Sequence, residues 1–113
     1  MRCEKFLDKV SDKTNVNYSM HKQRDNSYVI EMEYWSSLGE DVVITLVIDE
    51  LTKDSIREEM WNYYEGFDPE EHAAVWFNMH GKHGAPTSLR ALLDDADKQD
   101  SKLKEIYDVM CTL

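Results

Sequence analysis

The sequence predicts an α+β fold: a three-stranded antiparallel meander packed against three C-terminal helices, with a short helix or an irregular arm ahead of the sheet. Two changes of period carry this reading. Between Val16 and Asp49 apolar residues recur at every second position, and from Thr52 onward they recur every three to four. Start and stop signals then divide the second half into three helices.

At the N-terminus, Phe6, Leu7 and Val10 have helical spacing, but Cys3–Val10 is too short for periodicity to separate a helix from an arm. Val16, Tyr18 and Met20 then alternate with Asn17, Ser19 and His21. After the polar turn Arg24-Asp25-Asn26-Ser27, Tyr28, Ile30, Met32 and Tyr34 alternate with residues that include Glu31 and Glu33. A second turn, Ser36-Ser37-Leu38-Gly39-Glu40, leads to Asp41–Asp49, with Val42, Ile44, Leu46 and Ile48 on one face and Val43, Thr45 and Val47 on the other. A strand that is apolar on both faces is expected at the centre of the sheet, or under a cover besides the main core.

Thr52 or Asp54 caps the first C-terminal helix, which places Ile56, Met60 and Tyr63/Tyr64 on one stripe and stops at Gly66. Asp68-Pro69-Glu70-Glu71 reads as a capping box: an acceptor at the cap, Pro at the first helical position and acids at the positive end of the dipole. The helix from Pro69 carries His72, Val75/Trp76 and Met79 on its apolar stripe, and Gly81-Lys82-His83-Gly84-Ala85-Pro86 follows as a loop. Thr87 or Ser88 caps a long last helix with Leu89, Leu92/Leu93, Ala96, Leu103, Ile106 and Met110 at core spacing. Gln99 and Asp100 interrupt that spacing, so a bend or an exposed stretch is expected there. Arg90 sits in the first turn, where a positive charge is disfavoured. It is expected to act as a clasp, paired with Asp94 or with Glu58, Glu70 or Glu71 across the helix pair.

With 113 residues the chain reads as a single domain, 1–113, because two cores would each be too small to stand alone. The balance of 13 Lys+Arg against 23 Asp+Glu gives a net charge of −10. That charge opposes a role in coating nucleic acid or an anionic membrane, since phosphate contacts need a basic stripe. Helix, three strands, helix is also the order of a double-stranded-RNA-binding domain, but the acidic helix after the meander lacks the phosphate-gripping bases. Cys3 and Cys111 have no metal-site spacing and read as two reduced thiols, with a bridge between them as the alternative. Charges recur through the first residues where a signal peptide needs an apolar run, and no apolar run is long enough to span a bilayer, so a cytoplasmic setting is expected.

No catalytic, cofactor or metal signature is complete. His72, His80 and His83 with Glu71 could ligate a metal, but Glu71-His72-Ala73-Ala74-Val75 lacks the second ligand of a helical zinc motif. The Gly81–Gly84 loop lacks the hydroxyl and the strand–helix context of a phosphate loop. Asp94-Asp95 and Glu58-Glu59 are neighbours that point apart, as on solvated faces. An enzyme is therefore not expected.

Acidity coupled to aromatics is the distinctive feature. Seven acids (Asp54, Glu58, Glu59, Glu65, Asp68, Glu70 and Glu71) face Arg57 alone, and Trp61, Tyr63, Tyr64 and Phe67 are threaded among them. With Ile56, Met60 and Tyr63/Tyr64 turned to the sheet, Trp61 is expected to be exposed. An exposed aromatic rimmed by carboxylates has the composition of a binding site for a basic partner. The partner-binding residues expected are those seven acids and Trp61. The alternatives are a small metal-dependent or catalytic protein using His72, His80 and His83, and a homodimer formed through the third strand or the last helix.

The run Phe67-Asp68-Pro69-Glu70-Glu71-His72, then Trp76, then Gly84-Ala85-Pro86-Thr87-Ser88-Leu89-Arg90-Ala91-Leu92-Leu93-Asp94-Asp95-Ala96 resembles the C-terminal half of small acidic proteins of phages and mobile elements of gut Firmicutes. The resemblance covers about a third of the chain. It implies a bacterial or phage cytosolic setting and carries over no catalytic residue. By analogy of setting and charge, it implies an inhibitor of a host defence nuclease, of the anti-CRISPR kind that occupies a basic nucleic-acid channel.

Overall fold

Phe6, Leu7 and Val10 lie along one side of a regular helix, α1 (Arg2–Thr14), so the N-terminal segment is not an irregular arm. The computed structural model describes residues 2–80 and 88–113. α1 buries Cys3, Phe6, Leu7, Val10 and Thr14 at helical spacing. It ends where Asn15 adopts a left-handed φ of 57°, a conformation that Asn tolerates better than most residues.

The meander follows as β1 (Asn17–Lys22), β2 (Tyr28–Trp35) and β3 (Asp41–Ile48), antiparallel and in sequence order. Between β1 and β2, Asn26 takes φ 70°, and the Asp25 carboxylate accepts from the Ser27 amide at 3.0 Å. The register aligns Tyr18, Met32 and Ile44 in one row, and Met20, Ile30 and Leu46 in the next. These rows face the helices.

β3 lies at an edge of the sheet and β2 at its centre, contrary to the expectation from β3's two apolar faces. Val43 and Val47 on its outer face are exposed. On that face the register sets Glu33 opposite Val43 and Glu31 opposite Thr45, so it is a solvent face. The valines there serve strand formation by their β-branching and not core burial.

α2 (Lys53–Gly66) starts at the Thr52 cap, whose hydroxyl accepts from the Ser55 amide at 3.1 Å. It buries Ile56 and Met60 between β3 and α4 (Leu89–Thr112). α3 (Pro69–His80) begins at Asp68, which accepts from the amides of Glu70 and Glu71 at 3.0 and 3.4 Å. α3 rests on α4 more than on the sheet, and this changes its inward stripe. Ala73 is buried, Trp76 and Phe77 are half-buried, and the expected Val75 and Met79 are exposed. A small residue at the contact lets the two helices approach closely.

α4 is capped by Ser88, which accepts from the Ala91 amide at 3.1 Å, and it packs on α1, α2 and α3. Ala96, Leu103, Ile106 and Met110 are buried as expected, whereas Leu89 is exposed. The bend or exposed stretch expected at Gln99 and Asp100 does not interrupt the helix, which runs unbroken through both residues, and Gln99 is buried. Thr87 and the Gly81–Pro86 loop lie outside the described residues. Cys3 and Cys111 are free thiols, one buried and one exposed. No described helix is long and apolar enough to cross a membrane.

Candidate protein-docking site

Successive residues of an α-helix are about 100° apart, so Asp54, Glu58 and Glu65 fall within a narrow stripe opposite Ile56 and Met60. All three are exposed, and Asp68, Glu70 and Glu71 extend the exposed acidic surface over the α2–α3 corner. Glu59 lies on the flank of α2 and is half-buried. The one cation of the segment is turned to structural work. Arg57 pairs with Asp54 at 2.9 Å, donates through Nε to the Met110 carbonyl at 3.0 Å and lies over the Phe6 ring at 5.5 Å. Among the described residues, Glu58, Glu59, Glu65, Glu70 and Glu71 make no ion pair.

Trp61 borders this stripe but is not the exposed ring expected from the sequence. It is half-buried, with its ring centroid 4.9 Å from Tyr107 of α4 and 5.6 Å from Tyr64. The seam between α2 and α4 supplies a second aromatic surface that periodicity within α2 cannot reveal. The exposed tryptophan is instead Trp35, at 73% exposure at the end of β2. Its alternation with Tyr34 places it on the outer sheet face, and that was the available signal.

A second cluster joins the β2–β3 turn to α3 and α4. Asp95, 3% exposed, accepts from the Ser37 hydroxyl, from the Leu38 amide at 3.2 Å and from Gln99 Nε2 at 2.9 Å. The expectation that Asp94-Asp95 is simply a solvated pair thus fails for Asp95, which the turn covers. Burial acts to raise the Asp95 pKa, but these hydrogen bonds outweigh it and hold the carboxyl below its ordinary value. Gln99 Nε2 also donates to Glu40 at 3.0 Å, and His72 Nε2 stands 3.4 Å from both Glu40 oxygens. Gln99, expected as a break, is therefore the residue that bridges two carboxylates. The Tyr34 hydroxyl is buried and has no hydrogen-bond partner among the described residues. Burial first, then the charges of Asp95 and Glu40, push its pKa up, so it stays a neutral phenol. Beside the cluster lies a cleft of about 350 Å³ lined by Tyr34, Glu40, Tyr63, Phe67, His72 and Gln99, among others.

Because His72 and Gln99 both reach Glu40, the first turn of α3 lies beside the middle of α4. Arg90 is nine residues earlier on α4, about 13 Å along the axis, which is too far from Glu70 and Glu71 for a clasp. It is exposed, and it pairs with none of Glu58, Glu70, Glu71 or Asp94. His72 faces Glu40 and not Glu71, while His83 and the side chain of His80 lie outside the described residues. Among the described residues, no three His, Cys, Asp or Glu side chains converge as metal ligands. Comparison with protein-family models, curated proteins and solved structures finds no match to this chain.

Proposed function

We propose that the chain is a non-enzymatic binding protein whose acidic α2–α3 face docks on a basic groove of a nucleic-acid-handling protein. In the setting implied by the resemblance, that partner is a host defence protein, and the acidic face inhibits it by standing in for a phosphate backbone. The observation that carries this reading is the run of carboxylates at Glu58, Glu65, Glu70 and Glu71, exposed and without cation partners among the described residues, beside the half-buried Trp61. Unpaired exposed charge steers association with a surface of opposite sign.

The test is capture from bacterial lysate at low and high salt by the parent and by the variant Glu58→Lys/Glu65→Lys/Glu70→Lys. The expected partner binds nucleic acid, is captured by the parent alone, is released by salt and is displaced by a DNA or RNA duplex. A partner held equally by both proteins, or indifferent to salt and nucleic acid, overturns the proposal. A homodimer is the second reading, supported by exposed Trp35, Val43 and Val47 on the outer sheet face. A monomer in light scattering at high concentration removes it.

A further inference from the structure

We propose that the cleft at the α2–α3 corner receives the guanidinium group of an arginine side chain of the basic partner, between the Tyr63 and Phe67 rings and the Glu40 carboxylate. This deepens the reading of the chain as a module for basic partners and rests on it.

Glu40 and Asp95 share one amide donor, Gln99 Nε2, and among the described residues no Lys or Arg forms an ion pair with either carboxylate. The cation near them, Lys102, is already bonded to the Thr14 carbonyl and to Glu105 at 3.2 Å, with its ammonium 5.7 Å from the Tyr34 ring centroid. Carboxylates this far removed from water are normally paired with a cation or saturated with donors. Asp95 has its donors, but Glu40 has one good donor at 3.0 Å and a histidine at 3.4 Å. A carboxylate offers about four lone-pair positions, so Glu40 retains capacity to accept.

Shape and chemistry of the walls narrow the occupant. The cleft's volume is near the lower end of the ~300–1,000 Å³ typical of ligand sites. Tyr63 and Phe67 present ring surface, Val42 and Leu103 present apolar surface, and Asp41 adds a second carboxylate to the lining. A planar guanidinium stacks on such rings, sheds water more readily than an ammonium and offers several N–H donors in one plane. A cation here would also give the unpartnered Tyr34 hydroxyl a donor to accept from. Phe67 and His72 flank Asp68, Glu70 and Glu71 in the chain, so the cleft adjoins the acidic face that would bring a basic partner to it.

The test uses the intact protein and three short peptides, Gly-Arg-Gly and its citrulline and lysine counterparts, followed by NMR. Arginine is expected to shift the Gln99 side-chain amide and the Tyr63 and Phe67 ring signals saturably. Citrulline, the uncharged isostere, should bind about tenfold more weakly, and lysine should also bind more weakly than arginine. Glu40→Gln, which keeps the acceptor to Gln99, should remove the difference between arginine and citrulline in a protein whose spectrum is otherwise native. Phe67→Leu, which leaves the carboxylates in place, should lower arginine affinity if Glu40→Gln proves unfolded. Equal shifts from arginine and citrulline, lysine binding as well as arginine, or shifts confined to the Asp54–Glu65 stripe overturn the proposal. Because Glu58→Gln/Glu65→Gln should still bind the arginine peptide, failure of the cleft and failure of the acidic face register separately.

Discussion

Asp95 and Glu58 are both carboxylates on helices of one strongly acidic chain, yet they do opposite kinds of work. Asp95 is covered by the β2–β3 turn and held by three donors from Ser37, Leu38 and Gln99. Glu58 stands exposed with no ion-pair partner among the described residues, in line with Asp54 and Glu65. A buried carboxylate with its donors fixes how a turn sits on a helix, because displacing either leaves polar groups stranded. A solvated one adds almost nothing to the fold and is free to act on a partner. Net charge alone does not distinguish the two. Their difference lies in which neighbours the fold brings to each.

The largest effect is expected from Asp95→Ala, which strands the Ser37 hydroxyl, the Leu38 amide and one bond of Gln99. It should cost about 3 kcal/mol in chemical denaturation. An unchanged midpoint would place Asp95 with the solvated carboxylates. The same residue sets a pH dependence. Its folded pKa is lowered from 3.8, so its contribution is present above that value and is lost as the pH falls through the folded pKa. Asp95→Asn should therefore shrink the acid limb of a stability–pH curve and leave the neutral region flat.

Next in size is Asp68→Ala, which removes the cap of α3 from the Glu70 and Glu71 amides. It should cost about 1 kcal/mol by thermal or chemical denaturation. Asp68 is thus an exposed acid that is also structural, and it lies between the two classes. Glu58→Gln/Glu65→Gln/Glu70→Gln should change stability by less than about 0.5 kcal/mol, while weakening partner capture and flattening its salt dependence. Smallest of all, Arg90→Ala should be neutral or raise stability by a few tenths of a kcal/mol, because a cation in the first turn opposes the helix dipole and no carboxylate among the described residues pairs with it.

What could be read beforehand follows the same division. Periodicity placed all three strands, and the Thr52, Asp68 and Ser88 caps lie where short-range chemistry puts them. These are local properties, decided within a few residues. Gln99 is a case of another kind. A polar residue at a core position looks like a break until Glu40, 59 residues earlier, is known to receive it. Trp61 was misplaced because Tyr107 covers it from another helix, and β3 was misplaced because two-sided apolarity reports burial only when something lies on the second face. The exposed acids at Asp54, Glu58, Glu65, Asp68, Glu70 and Glu71 were legible because solvation needs no distant partner.

The packing of α1 against α4 carries a consequence in time and not in space. Every strand pairing in the sheet is between neighbours in sequence, so the meander can close as soon as its own residues exist. The apolar side of α1, with Cys3, Phe6, Leu7 and Val10, shares its core with Leu103, Ile106 and Met110, and Lys102 reaches back across 88 residues to the Thr14 carbonyl. On a ribosome that adds about 5–20 residues per second, α1 waits several seconds for that surface. During that interval its apolar flank is open to any chaperone at the tunnel exit, and a helix made before the meander is among the last elements to find its place.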